Sequence, residues 1–353
     1  MKKIIIIILS TLVFTACDTD NIKDNKPDPI INPGDTPDNP ITRIENRQLT
    51  TVAWVELLNE IENEGKYVAL DLSACTRGKQ TSGGGLWSNG IFYTDPYLGT
   101  RGIKKIVSLI LPETATGFPE PRIQGESMGL PIYEAFFGNF SVLKEITGIN
   151  IITIERNAFI SLGTLYSPDD GHIMWSRGIL TSVNFPNVIT IGEDAFNGCY
   201  NLTYANIPKV QIIKDQAFIY CNLQSLYIPD IRFMDIQALQ LNNSLTEFVF
   251  GEVAPTMSYK VIGFASTAKS RNITVKVPMG ATGYGEIPSI YIGGDTSKNW
   301  GNAFRGMGWR PDRANMPISF GTAERYDANG FGPIDRINTG ITLRIEYIPT
   351  EKL

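Results

Sequence analysis

The sequence predicts a repeat solenoid, mainly β with short turns, with a helical cap before it and a Gly- and aromatic-rich β cap after it. Three observations carry this expectation. A 22-residue pattern recurs through the middle of the chain with its apolar positions in register. Each copy alternates apolar and polar residues and then meets a proline, which stops a strand because it cannot donate to a ladder. One such coil cannot bury its own apolar face, so consecutive coils must stack. The 353 residues suffice for a sizeable core, and a charged fraction of 19% is ordinary for a globular chain.

In chain order, residues 1–16 read as a signal peptide. Lys2 and Lys3 precede an apolar run over 4–9 that continues through Leu12, Val13 and Phe14, too short for a permanent span. Thr15-Ala16-Cys17 then resembles a bacterial lipobox, with Phe14 where that motif usually has Leu. The resemblance implies cleavage before Cys17 and acylation of its thiol, an anchor needing no spanning helix. Residues 17–47 are expected to be the lipidated cysteine and a disordered linker. They are rich in Asp, Asn and Pro (Pro27, Pro29, Pro33, Pro37, Pro40) and poor in large apolar residues. Fully extended, such a linker reaches about 90 Å. Asp18, Thr19 and Asp20 resemble the surface-export signal of Bacteroidetes-type lipoproteins, which implies an outer-membrane, surface-exposed location.

Residues 48–105 are read as the N-terminal cap, with a helix over 51–64. Val52, Val55, Leu58 and Ile61 share one face of it and Gly65 ends it. The solenoid is placed at 106–255. Its clearest copy runs Leu180, Val183, Phe185, Pro186, Val188, Ile191, Ala195, Phe196, Cys199. The next has Leu202, Ala205, Ile207, Pro208, Val210, Ile213, Ala217, Phe218 and Cys221 in the same places. A third runs Leu223, Leu226, Ile228, Pro229, Ile231, Ala238, Leu239, one residue having been deleted at Cys221-Asn222-Leu223. A fourth begins Leu245, Phe248, Phe250. Upstream, Leu143, Ile146, Ile151, Ile154, Ala158 and Phe159 fit the template, followed by an insertion at 165–179. Weaker coils are marked by Ile106, Leu109, Leu111 and by Leu70, Leu72. Residues 256–353 are read as the C-terminal cap, with aromatics from Tyr284 to Phe331 and a closing alternating strand through Ile341, Leu343, Ile345 and Tyr347.

These residues closely resemble the BspA-like class of bacterial leucine-rich repeats, Leu-x-x-Val-x-Leu-Pro-x-x-x-x-Ile-Gly-x-x-Ala-Phe-x-x-Cys. The resemblance implies a surface lipoprotein associated with adhesion and host or matrix protein binding, and supplies no catalytic residues. An adhesin, not an enzyme, whose strand face takes an extracellular protein or glycan is expected. A carbohydrate-binding accessory lipoprotein of a nutrient-uptake system, holding sugar on the aromatic tail, is the alternative. Stacked strands about 4.8 Å apart would permit a disulfide between Cys199 and Cys221. In related repeats this place holds a small buried filler, which implies two buried thiols instead.

No cofactor, metal or nucleic-acid partner is expected. The net charge of −5 comes with no Lys/Arg run, and the single histidine, His172, sits in the insertion beside Asp169 and Asp170. Within each strand the residues between the apolar positions should face solvent. One outward column is Ser182, Tyr204, Ser225, Glu247, and its neighbour is Asn184, Asn206, Tyr227, Val249. Asn184, Tyr204, Asn206, Tyr227 and Glu247 are the candidate partner-binding residues, tyrosine offering a large flat contact with a hydrogen-bonding tip.

Overall fold

The structure is a computed structural model. It describes residues 32–77, 101–118, 123–127, 130–133, 137, 140–159, 164–166, 173–175, 179–258, 261–262, 271–282, 309–310, 319–320, 323–326, 333–337 and 341–349. The chain divides between Asn32 and Pro33, and all that follows concerns the unit from Pro33 onward. Cys17, His172, Asp169, Asp170 and most of the aromatic tail lie outside the described residues.

The repeats form a solenoid with two parallel ladders, one on each side of a shared core. The front ladder takes the Leu-x-x-Val-x-Leu segments in the order Ile41–Ile44, Val68–Asp71, Ile106–Ile110, Glu145–Thr147, Ser182–Asn184, Tyr204–Asn206. It resumes in a second sheet with Ser225–Tyr227, Glu247–Val249, Arg271–Pro278 and Ile341–Ile348, where Ser319–Phe320 adds an antiparallel edge. The back ladder stacks Thr153–Ile154, Thr190–Ile191, Ile212–Ile213, Phe233–Met234 and Thr256–Met257 without a break. The register is that of the repeat: Val183 stands beside Ala205 and Ile146, and Ile191 beside Ile213 and Ile154.

The inward residues are those the alternation picks out. Leu202, Ala205, Ile207, Val210, Ile213, Ala217 and Phe218 are all buried, as are their counterparts one coil away. The Phe of each Ala-Phe pair forms a spine. Phe159 and Phe196 stack at 4.8 Å between ring centroids and Phe196 and Phe218 at 4.9 Å, close to the spacing of neighbouring strands. Phe137 continues the spine on the other side, 4.6 Å from Phe159. It belongs to the coil that Ile106, Leu109 and Leu111 mark only weakly in the sequence, because a hairpin, Ile123–Ser127 with Leu130–Tyr133, interrupts the repeat. The later insertion is also a hairpin, Thr164–Tyr166 with Ile173–Trp175.

Three of the turns bend through two left-handed residues. Asn157, Asp194, Gln216 and Gln237, one per coil before the Ala, have φ of 57°, 55°, 53° and 57°. Gly198, Tyr220 and Leu241, two residues after the spine position, have φ of 76°, 59° and 63°. The unfavourable conformation at non-glycine residues is held by cross-coil bonds. Asp194 N–H donates to Asp215 C=O at 3.0 Å and Phe196 N–H to Ala217 C=O at 2.7 Å.

The helix α1, Thr51–Glu64, has the expected bounds. Thr50 caps its start by accepting from Ala53 N–H, and Gly65 ends it at φ 67°. Its buried face differs from the expected one: Trp54, Leu57, Leu58 and Ile61 are buried, whereas Val52 is 65% exposed. The bulk of Trp54 and Leu57 turns the helix toward them and away from Val52 and Val55.

Two boundaries need correction. Ile41–Ile44, inside the stretch expected to be disordered linker, pairs in parallel with Val68–Asp71 as the first strand of the front ladder. Its anchor is charge as much as apolar content. Arg43 reaches Glu45, Glu60 and Glu64, and Arg47 reaches Glu45 and Glu60. Residues 33–39 are held by the ion pairs Asp35–Lys66 and Asp38–Lys144. The front ladder also runs past both ends of 106–255, through Val68–Asp71 and through Arg271–Pro278 with Ile341–Ile348.

Candidate binding face

The front ladder turns its alternate residues to solvent. Val183, Ala205, Leu226 and Phe248 point inward, so Ser182, Tyr204, Ser225 and Glu247 face out, with Asn184, Asn206, Tyr227 and Val249 beside them. The structure brings these candidates together unequally. Tyr204 is 57% exposed and Tyr227 44% exposed, each presenting much of its ring. Asn206 Nδ2 donates to Asn184 Oδ1 at 2.7 Å, so these two amides form a ladder of their own and fix each other's orientation. Glu247, between Ser225 and Thr274 on the ladder, is engaged by Lys276, Nζ to Oε2 at 2.6 Å.

Two further tyrosines belong to this region. Tyr200 and Tyr220 lie in the turns that lead into the front strands, 39% and 44% exposed, with ring centroids 6.0 Å apart. Sequence alignment of the copies separates them, since Tyr200 follows one repeat cysteine and Tyr220 precedes the next.

The cysteine position is structural. Cys199 Sγ donates to Phe159 C=O at 3.3 Å and Cys221 Sγ to Phe196 C=O at 3.2 Å. Both are buried free thiols, and burial pushes Cys199 up to about 12 and Cys221 well above its ordinary value. Burial also raises Cys75. Thiols so disfavoured as thiolates are poor nucleophiles and ligands. In the third coil Asn242 takes the same place, and Nδ2 donates to Phe218 C=O at 2.7 Å.

The return side carries the acids. Burial raises Asp194, offset by the Asn197 amide, and burial raises Asp215, with Asp235 and Glu193 adding to it. Among the described residues, no three His, Cys, Asp or Glu side chains are grouped to hold a metal ion. Nor is any described helix long and apolar enough to cross a membrane.

An exposed aromatic and amide surface on stacked parallel coils is what a leucine-rich-repeat scaffold offers. Residues 174–279 match the family model described as BspA type leucine rich repeat region, in six copies, and this part of the chain is such a repeat. Two solved structures are also similar. One is a leucine rich cell surface protein from Faecalibacterium prausnitzii, at 16% identity and a TM-score of 0.28, covering 61% of this chain and 52% of that one. The other is a leucine-rich repeat protein from Bacteroides ovatus, at 17% identity and a TM-score of 0.25, covering 54% of each. The chain thus spans about half the length of either protein. No curated protein matches the sequence.

Proposed function

We propose that this chain is a lipid-anchored protein of the outer cell surface whose front ladder binds an extracellular partner, as an adhesin does. The lipobox-like Thr15-Ala16-Cys17 supports the anchor, and the acidic residues after it support surface exposure. The helix Thr51–Glu64 and the chain beyond residue 256 serve as the two caps of the solenoid. One observation carries the binding reading: Tyr204 and Tyr227 stand more than 40% exposed on a ladder whose alternate residues are wholly committed to the core. Threonine suits a solvated strand as well as tyrosine does, whereas a docking partner gains from tyrosine a rigid amphipathic contact.

Cys17→Ser is expected to abolish acylation and release the chain from the membrane fraction. A variant that still pelleted with membranes, together with a wild-type chain free of lipid, would remove the anchor. The binding face is tested by Tyr204→Ala with Tyr227→Ala against the ligand found in a screen of matrix proteins and glycans. Unchanged affinity in a variant of wild-type melting temperature would place the site elsewhere.

A further inference from the structure

Within coils 180–246 the charges are segregated by coil half, and the outward column meets charge only beyond them, at Glu145 beside Ser182 and Glu247 beside Ser225. Between 179 and 246 all eight charged residues lie between the proline of a coil and its Ala-Phe or Ala-Leu pair. Glu193, Asp194, Lys214, Asp215, Arg232 and Asp235 are among them. That return half has eight charges in 24 residues, and the other half, comprising the leading turns and the front strands, has none in 44. Burial does not account for the difference. The charge-free half includes solvent-facing positions such as Gln224, Ser225 and Asn201, where Lys or Glu would be ordinary.

Three kinds of group are left on this surface. Tyr200, Tyr204, Tyr220 and Tyr227 are exposed, four of the five tyrosines exposed by more than a third among the described residues. The Asn184–Asn206 pair supplies fixed amides, and the remaining outward positions are Ser, Thr, Gln and Asn. A polyanionic partner would bring charges that need counterparts here, and a protein partner would need a polar, charged rim around the tyrosines, since charge complementarity steers and fixes such docking. A neutral saccharide brings none. Its hydroxyls pair with groups that both donate and accept, as amides and hydroxyls do, and its C–H faces stack on tyrosine rings. We propose that the front face of coils 180–246 binds an uncharged polysaccharide, with the four tyrosines as stacking surfaces for successive sugar units. The proposal rests on the front ladder being the binding face and adds the chemical class of the ligand.

The test is affinity electrophoresis and calorimetry on the full chain with laminarin, mannan and amylopectin as neutral probes, heparin and polygalacturonate as charged probes, and fibronectin and collagen as proteins. The expected result is binding of a neutral glycan that changes little between about 50 mM and about 500 mM salt. Tyr204→Ala with Tyr227→Ala should weaken it at least about tenfold, and so should Tyr200→Ala with Tyr220→Ala, all with wild-type melts. Failure of every neutral glycan to bind overturns the proposal. Tyrosine-dependent binding of heparin, fibronectin or collagen alone overturns it too, while leaving the front face as the site. Glycan binding indifferent to all four tyrosines overturns both.

Discussion

Asn242 shows how one side chain compensates for one missing residue. In the other coils the N–H of the first Leu bonds back within its own turn, as Leu202 N–H does to Cys199 C=O and Leu245 N–H to Asn242 C=O. With only Asn222 between Cys221 and Leu223, that bond has no counterpart. Asn242 Oδ1 accepts the Leu223 N–H at 3.1 Å, while Nδ2 serves Phe218 C=O and Leu239 C=O. A thiol could serve the carbonyls weakly but would not replace the amide oxygen as acceptor. Asn242→Ala should therefore cost about 3 kcal/mol, and Asn242→Cys should recover only part of it. Urea melts of the two variants check this, and equal stabilities would refute the division of roles. Cys199 and Cys221, buried and held as thiols, should react with alkylating reagents only after unfolding. The Leu-to-Cys template made the equivalence of 199 and 221 legible, but nothing in it marked Asn242, whose place becomes visible only against the deletion.

At the scale of elements, the repeat strands were legible and the pieces around them were not. Strict alternation with one buried face fixes register, because a one-residue slip would expose every inward side chain. The copies with nine matching places accordingly have the predicted inside and outside. The spine is the strictest of these columns: Phe196→Ala and Phe218→Ala should each cost about 3–5 kcal/mol in chemical melts, since both rings are fully buried and each stacks on a neighbour. A loss below about 1 kcal/mol for both would contradict the packing. Ile41–Ile44 escaped notice because four residues carry little periodic signal and much of its hold is ionic. That hold has a pH signature. Hydrogen bonding from Arg47, with the charges of Arg47 and Arg43, keeps Glu60 below the usual carboxylate range. A carboxylate lowered in the folded state contributes stability above its unfolded pKa, about 4.3, and the contribution is lost as pH falls through the lower folded value. With 43% of the Glu60 side chain exposed, the effect is screened and small. Protection of the α1 amides, measured against their intrinsic exchange rate, should fall below about pH 4, and Arg47→Met, costing about 1 kcal/mol, should flatten that dependence. Protection unchanged down to pH 2, as an outcome, would show the ion network to be idle.

For the molecule as a whole, the sequence disclosed the stacking but not its extent. The coil begun by Ile106, Leu109 and Leu111 was only weakly marked because a hairpin interrupts it, and the parallel pairing of Arg271–Pro278 with Ile341–Ile348 joins segments too distant for any periodicity to link. The candidate face was half legible. Its outward columns followed from alternation, while Tyr200 and Tyr220 needed the folded turn, and Asn184, Asn206 and Glu247 proved to be engaged within the protein. The separation of the front ladder into two sheets has a consequence for how the solenoid comes apart. Between Tyr204–Asn206 and Ser225–Tyr227 the coils keep only peripheral backbone bonds on the front, such as Gln224 N–H to Thr203 C=O at 3.4 Å, while the back ladder runs on unbroken. Solenoid stability is a sum over neighbouring coils, so the weakest joint sets where cooperativity divides. Under mild denaturant the amides of Ser225–Tyr227 and of the coils after them should exchange as one block, ahead of those of Ser182–Asn184. Restoring a residue between Asn222 and Leu223 should merge the two blocks. The break in the front ladder falls at the missing residue, at 221–223, while the back ladder still ties the two blocks together.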